Sequence, residues 1–175
     1  MARLAAFRPH LRRRWLAVLA VPATLAAIVV VFASPFLISS ISMASTIQPG
    51  EIVLVDRVNT GLQHGEVIVF YPPGNTSGVP FIKRVIGLPG DHISITQCNV
   101  SVNGVQLSEP YVAPETCTLT SVADYELTVP AGTVFVLGDD RWYSWDSRDY
   151  GPVPFGRIVG RAWVAVSLAP AISIL

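Results

Sequence analysis

Two parts of the sequence contain side chains that could together activate a nucleophile. Residues 39–46 read Ser-Ser-Ile-Ser-Met-Ala-Ser-Thr and bring five hydroxyl groups together. Lys83 is the single lysine among 12 basic residues, and every other one is an arginine. Arginine stays protonated in a protein, whereas a buried lysine can lose its proton and act as a base. We therefore predict that Ser42 is a nucleophile and that Lys83 is the general base that activates it.

Lys83 lies in the stretch Pro80-Phe-Ile-Lys-Arg-Val-Ile-Gly87, which has the composition of a β-strand. Side chains alternate across a strand, so Lys83 shares a face with apolar neighbours and Arg84 points to the other face. Apolar surroundings disfavour the ammonium and lower the pKa of Lys83, which lets the neutral amine take a serine proton. The alternatives are a polar linker around Ser42 and a lysine whose ammonium extends into water.

Other nucleophile chemistries have weaker support in the sequence. A Ser-His-Asp triad would use His64 or His92, and both lie in or beside turns without a recognisable nucleophile elbow. Cys98 and Cys117 could form a disulfide that closes a 20-residue loop, a constraint worth about 3 kcal/mol in the loop-entropy relation. A thiol nucleophile lacks a histidine at an informative spacing. Because no residue cluster has metal-ligand spacing and no phosphate-binding loop is present, we predict neither a metal nor another cofactor.

A dense polar stretch, residues 138–149, follows a predicted strand. It contains two arginines and four acidic residues interleaved with three aromatic residues. Such a composition fits an exposed loop, but it also fits a buried salt-bridged network that orients catalytic groups by hydrogen bonding.

The elements that must position these residues are predicted to be short strands. We expect strands over residues 52–58, 66–71, 80–87, 92–102, 105–107, 125–129, 133–137 and 158–168. Asn103-Gly104 predicts a hairpin and Pro89-Gly90 a type II turn, whereas residues 108–123 resemble an irregular loop. The fold class is therefore mainly β, a partly closed barrel or sandwich of short antiparallel strands. The apolar residues 162–175 are predicted to be a strand with a surface-seeking tail.

An apolar segment precedes this β domain. Trp15 to Ile38 is 24 residues without a charge, and as a helix it would span about 36 Å, more than the bilayer core of roughly 30 Å. Five arginines precede it, which predicts a cytoplasmic N-terminus over residues 1–14, a transmembrane helix over 15–38 and an exported domain over 39–175. A cleaved signal peptide is the alternative. The exported part has seven basic residues against twelve acidic ones, which gives no indication of nucleic-acid binding.

Four blocks of sequence resemble type I signal peptidases, the membrane-bound serine proteases that remove signal peptides from exported proteins. Ser42-Met-Ala-Ser-Thr46 resembles the nucleophile block Ser-Met-x-Pro-Thr, and residues 64–70 resemble a Gly-Asp-hydrophobic strand. Lys83-Arg-Val-Ile-Gly-Leu-Pro-Gly-Asp91 matches the general-base block. Residues 138–148 resemble the block Gly-Asp-Asn-Arg-x-x-Ser-x-Asp-Ser-Arg.

The resemblance implies a role for each matched residue. Ser42 and Lys83 would form the catalytic dyad, and the Ser40 hydroxyl with the Ser42 backbone N–H would form the oxyanion hole. Ser144 would hydrogen-bond to the lysine and orient it, and Asp146 and Arg148 would form a supporting salt bridge. The substrates would be preproteins at the lipid bilayer, with small residues at the −3 and −1 positions of the signal peptide, bound as an added strand.

Three departures from the resembled pattern stand out. Ser45 replaces the usual proline, Asp140 replaces asparagine, and Trp142-Tyr143 replace a polar pair. Two other functions stay open at this stage: a processing peptidase of the same family with few substrates, and a membrane-tethered β domain without activity.

Overall fold

The computed structural model of the chain describes residues 33–57, 61–118 and 124–167. In chain order its strands are β1 Ala33–Leu37, β2 Ile52–Asp56, β3 Val67–Phe70, β4 Phe81–Gly87, β5 His92–Thr96, β6 Asn99–Val102, β7 Val105–Gln106, β8 Tyr125–Thr128, β9 Thr133–Leu137, β10 Val153–Pro154 and β11 Ile158–Val166. Two short helices, α1 Glu115–Thr118 and α2 Ser147–Tyr150, and a 3-10 turn Phe155–Arg157 complete the described elements. The predicted mainly β fold class is confirmed.

The strands form two antiparallel sheets. The larger has the order β1-β2-β11-β3-β4-β9-β10, and the smaller has the order β7-β6-β5-β8. β11 lies between β2 and β3, and its register shifts at two points, between Ile158 and Gly160 and between Ala162 and Val164. Such irregularities bend and twist a strand, which curls the larger sheet.

Three apolar clusters hold the sheets together. One joins β4 and β9 to the smaller sheet through Ile86, Ile93, Ile95, Val100, Val102, Val129, Phe135 and Leu137. The other two contain Ile38, Met43, Ile47, Val53, Val55, Val69 and Ile82, and Ile68, Phe70, Val85, Val134, Val136 and Val153. β4 contributes to all three clusters, so the strand that carries Lys83 is fixed on both of its faces.

The predicted turns are present. Asn103 and Gly104 both have positive φ, of 53° and 79°, and join β6 to β7 as a two-residue hairpin loop requires. Gly90 has φ 90°, and the Asp91 N–H donates to the Leu88 carbonyl at 3.0 Å, which closes the turn before β5.

The structure differs from the prediction at the start of the described chain. Ala33–Leu37, the last part of the predicted helix 15–38, is an edge strand that pairs with β2. Pro35 explains this difference, because proline disfavours a helix interior and is tolerated on an edge strand. Residues 1–32 lie outside the described residues. Within the described ranges, none of the helices has the length and apolar character needed to cross a membrane.

Smaller differences concern elements that the sequence did not predict. α1 lies inside the predicted loop 108–123, and α2 and β10 were not expected. The predicted strand 92–102 is divided into β5 and β6 by a turn in which Gln97 has φ 57°. β11 ends at Val166, and residues 168–175 of the predicted tail lie outside the described part of the chain.

Candidate active site

Ser42 is positioned by a compact turn between β1 and β2. The Ala44 N–H donates to the Ile41 carbonyl at 2.9 Å, and the Thr46 N–H donates to the Met43 carbonyl at 2.8 Å. Met43 is completely buried in the apolar cluster below the turn. The turn therefore closes with Ser45 in place of the expected proline, and the burial of Met43 holds the neighbouring serine in place.

Lys83 and Ser42 are in direct contact. Lys83 Nζ donates a hydrogen bond to Ser42 Oγ, and the two residues are only 3% and 2% exposed. Desolvation by burial lowers the pKa of Lys83 from 10.5 to about 8, although the carboxylates of Asp146 and Asp139 act in the opposite direction. A lysine with this pKa is neutral in an appreciable fraction of molecules near neutral pH and can accept a serine proton.

Ser40 lies beside the same hydroxyl. The Ser42 backbone N–H donates to Ser40 Oγ at 3.2 Å, and Ser40 Oγ donates to Ser42 Oγ at the same distance. In this structure the two donors predicted for an oxyanion hole are therefore bonded to each other and to the Ser42 hydroxyl, next to the nucleophile.

The Asp146 carboxylate is the centre of a buried network behind the lysine. It accepts from Arg148 Nε at 2.8 Å, from Ser144 Oγ at 2.6 Å and from the Gly138 N–H at 3.0 Å. Asp146 is also the N-cap of α2, where its side chain accepts from the Arg148 N–H. The structure thus brings together the predicted Asp146–Arg148 salt bridge and Ser144 in one unit.

Ser144 differs from the expectation in its partner. It was expected to hydrogen-bond to Lys83, but within the described residues the hydroxyl proton goes to Asp146 and the lysine bonds to Ser42. A carboxylate is a stronger hydrogen-bond acceptor than an amine, which explains why the Ser144 hydroxyl donates to Asp146. A Cβ at Gly138 would lie 2.7 Å from the Ser42 carbonyl oxygen and would overlap the Ser144 side chain, so this close packing requires glycine.

The sequence analysis missed a second buried ion pair, between Arg84 and Asp139. Arg84 Nε donates to Asp139 Oδ1 at 2.8 Å and Nη2 donates to Oδ2 at 2.5 Å, while the Thr46 hydroxyl donates to Oδ2 at 2.6 Å. Strand alternation places the side chains of Arg84 and Lys83 on opposite faces of β4. This indicated that Arg84 needs an acidic partner on the face away from Lys83. Nothing in the sequence indicated which of the acidic residues it would be.

A cavity of about 300 Å³ opens beside the reactive pair. β9 pairs with β4 only between Arg84 and Gly87, so the strand edge at Phe81–Lys83 has no strand partner on that side among the described residues. The opposite wall is the chain that follows β1. The lining is largely apolar and consists of Phe36, Leu37, Ile38, Ser39, Ser40, Ser42, Val69, Val79, Pro80, Phe81, Ile82, Lys83, Tyr143 and Trp145.

The alternative nucleophile chemistries are not assembled. His64 Nε2 lies 2.6 Å from Asp91 Oδ2, and His92 Nε2 lies 3.0 Å from a Glu126 carboxylate oxygen; within the described chain neither ring contacts a serine hydroxyl. Cys98 and Cys117, the two cysteines of the sequence, form a disulfide with Cα atoms 5.5 Å apart. Neither sulfur is therefore a thiol nucleophile in this structure.

Comparison with known proteins agrees with this arrangement. Residues 12–167 match the family described as signal peptidase, peptidase S26. Signal peptidase I U of Bacillus subtilis strain 168 is 37% identical over 142 residues, which are 77% of this chain and 75% of that protein. Signal peptidase I of Bacillus caldolyticus is 34% identical over 160 residues, or 84% and 85% of the two chains. The crystal structure of a signal peptidase I from Enterococcus faecalis V583 has a TM-score of 0.51 at 35% identity and covers 58% of this chain and 97% of that one.

Proposed function

The chain belongs to the signal peptidase family, peptidase S26, and is a serine endopeptidase; from this premise we propose that it removes signal peptides from exported preproteins with a Ser42–Lys83 dyad. The observation that carries the proposal is the buried hydrogen bond between Lys83 Nζ and Ser42 Oγ. A base within hydrogen-bond reach of a hydroxyl is the arrangement that activates a serine for attack on a peptide carbonyl.

The first half of the reaction forms an ester. The neutral Lys83 amine takes the Ser42 proton while Oγ attacks the scissile carbonyl carbon. The oxygen of the tetrahedral intermediate is stabilised by the Ser42 N–H and by the Ser40 hydroxyl, which turns from Ser42 Oγ toward it. The Lys83 ammonium then gives its proton to the leaving nitrogen, the C–N bond breaks, and the mature chain departs with a new amino terminus.

The second half hydrolyses the ester. Lys83, neutral again, deprotonates a water molecule that attacks the ester carbonyl, and the ammonium returns the proton to Ser42 Oγ. The signal peptide leaves as a carboxylate. A pKa of about 8 suits both roles, since the group must give and take a proton near neutral pH. The network around Asp146, with Arg148 and Ser144, has a positioning role: it keeps the chain next to Lys83 in place.

The cavity supports recognition of an extended peptide. The open edge of β4 at Phe81–Lys83 can pair with a substrate strand, and the apolar walls can receive its side chains. Alternate residues of a strand face the same way, so the residues one and three before the scissile bond share the wall next to Ser42. We propose that small side chains at both positions let the peptide backbone approach Ser42 closely.

Membrane attachment is part of the proposal. Residues 15–32 carry no charge and follow five arginines, and as a helix they would span about 27 Å, close to the roughly 30 Å of a bilayer core. Large apolar side chains are exposed around the cavity, namely Leu37, Ile41, Val79, Trp142, Tyr143 and Trp145. A concentrated apolar surface of this kind fits a lipid headgroup region. The arginine-rich start would be cytoplasmic and the β domain extracytoplasmic.

The test is cleavage of a signal-peptide substrate by Ser42→Ala and Lys83→Ala enzymes. We expect each variant to lose about a thousandfold or more in kcat/KM, because each removes a member of the reacting pair. Lys83→Arg keeps the charge but cannot act as a base, so it should be equally inactive. Products are identified by mass spectrometry.

The matched control is Thr96→Ala, which removes an exposed hydroxyl on β5 in the smaller sheet and should cleave normally. Cleavage at the same bond by Ser42→Ala or Lys83→Ala at a rate near that of the wild-type enzyme would reject the dyad.

A further inference from the structure

A second cavity, of about 380 Å³, lies next to the nucleophile turn. Its walls come from the turn, from the polar stretch after β9 and from the region of α1: Ala44, Ser45, Ala113, Glu115, Thr116, Asp140, Trp142 and Tyr143. Tyr143 lines this cavity and the first one, and the Asp140 N–H donates to the Ser42 carbonyl at 3.1 Å. The second cavity therefore lies next to the site proposed for the reaction.

Four positions at which the sequence departs from the resembled family pattern line this cavity. They are Ser45, Asp140, Trp142 and Tyr143. The positions expected to act on the scissile bond do not depart from that pattern. These four departures therefore change one surface beside the reacting groups.

The charge and the ring faces of the second cavity favour a cation. Asp140 Oδ1 accepts from the Trp142 N–H at 3.2 Å and from the Tyr143 N–H at 3.0 Å, whereas its Oδ2 accepts no hydrogen bond from the described residues. None of the described residues that line the cavity is basic. Trp142 and Tyr143 are exposed, and aromatic faces beside a carboxylate attract an ammonium or guanidinium group.

Arg141 does not neutralise this surface. Its side chain is buried and donates to Glu109 at 2.5 Å and to the Gly138 carbonyl at 3.1 Å. Although it is adjacent to Asp140 in the sequence, it does not line the cavity.

We propose that the second cavity binds the first residues after the scissile bond and favours a lysine or arginine among them. This inference rests on the proposed function, in which the first cavity holds the residues before the scissile bond. An extended substrate must continue past Ser42, advancing about 3.3 Å per residue. One of the first three residues of the mature chain thus comes within reach of Asp140.

The experiment compares peptides that share one signal-peptide sequence and carry Lys, Gln or Glu singly at the first, second or third position after the scissile bond. At low ionic strength we expect kcat/KM for Lys to exceed that for Glu by about fivefold at one or more of these positions. In 1 M salt the ratio should fall toward one, because screening weakens the attraction of exposed charges.

Asp140→Asn is the informative variant. The amide oxygen still accepts the Trp142 and Tyr143 N–H groups, so the loop is retained while the charge is lost. The Lys-to-Glu ratio should then fall toward one, and because the readout is a ratio, a general change in activity cancels. Glu126→Gln, an acid removed from β8 in the smaller sheet, is the control that should keep the wild-type ratio.

The outcomes separate the two proposals. Equal cleavage of the Lys, Gln and Glu peptides at all three positions by an enzyme that Ser42→Ala inactivates overturns this inference and leaves the proposed function intact. An Asp140→Asn enzyme that keeps the wild-type ratio also overturns it. Failure of the wild-type enzyme to cleave any of the peptides overturns both.

Discussion

At the scale of the residue, the proposed mechanism depends on the protonation of Lys83. Burial lowers the pKa of the Lys83 amine, and the nearby carboxylates of Asp146 and Asp139 limit how far this pKa falls. The active form is the neutral amine, whose population decreases as the pH falls below the pKa. In the proposed mechanism, the balance between desolvation and the charges of Asp146, Asp139 and Arg148 therefore sets the pH range in which the enzyme can work.

We expect kcat/KM to rise about tenfold per pH unit below about 8 and to level off above it, because only neutral Lys83 can take the Ser42 proton. Asp146→Asn removes a charge that raises the pKa of Lys83, so the acidic limb should move to lower pH. The measurement is initial rates of peptide cleavage across pH 6–10. Glu126→Gln should leave the limb in place, and a limb near 10.5 in the wild-type enzyme would contradict a buried base.

At the scale of the element, β4 carries two neighbouring basic side chains that bond to different partners. Lys83 bonds to Ser42, and Arg84 bonds to Asp139 and lies 4.0 Å over the Tyr111 ring. Asp139 also accepts the Thr46 hydroxyl. The ion pair thereby fastens the nucleophile turn, β4 and the stretch after β9 to one another, close to the reacting groups.

Asp139→Asn should destabilise the protein by about 3 kcal/mol, because it leaves the nearly buried Arg84 guanidinium without its counter-charge. The double variant Asp139→Asn/Arg84→Met should recover part of the loss, since no unpaired charge remains. Both are measured as the free energy of unfolding in urea. Glu66→Gln, which weakens the more exposed pair with Arg161, is the matched control and should barely move the midpoint. An Asp139→Asn protein as stable as the wild type would refute this reading of the pair.

At the scale of the whole molecule, two sheets and a covalent link define the β domain. The smaller sheet packs on β4 and β9 through an apolar cluster, and the Cys98–Cys117 disulfide ties the β5–β6 turn to α1. Because the disulfide also constrains the unfolded chain, we expect it to stabilise the folded domain.

Replacing both cysteines by serine should lower the free energy of unfolding by about 3 kcal/mol, the loss expected for a closed loop whose ends are 19 positions apart. The measurement is thermal unfolding with and without dithiothreitol. The reductant should lower the Tm of the wild-type protein and leave that of the double variant unchanged. If dithiothreitol changed the Tm of both proteins equally, the disulfide would not contribute to stability.

The proposed membrane span has its own test. Leu25→Arg combined with Ala26→Arg places two charges near the centre of residues 15–32, each at a cost of about 3 kcal/mol in a bilayer. We expect the variant to move from the carbonate-washed membrane fraction to the soluble fraction, whereas Leu25→Ala should stay with the membrane. Retention of the double-arginine variant in the washed membranes would contradict the span.

The sequence by itself determined the features that depend on local pattern. Alternation along residues 80–87 predicted a strand with Lys83 and Arg84 on opposite faces, and Asn103-Gly104 predicted its hairpin, because these signals arise from neighbouring residues. The apolar run up to Ile38 was ambiguous. Hydrophobicity alone does not separate a buried strand from a helix, and the prediction failed at Ala33–Leu37.

Only the tertiary structure decided which distant groups meet. Asp139 pairs with Arg84 across 55 positions of sequence, Ser144 bonds to Asp146 instead of Lys83, and Tyr143 lies between two cavities. The composition of the polar stretch fitted a buried network as well as an exposed loop, and it did not specify these pairings, since several acidic and basic residues could satisfy such a network equally well. Burial in a packed interior makes one pairing much more favourable than the others, and that selection depends on contacts between strands that are far apart in the chain.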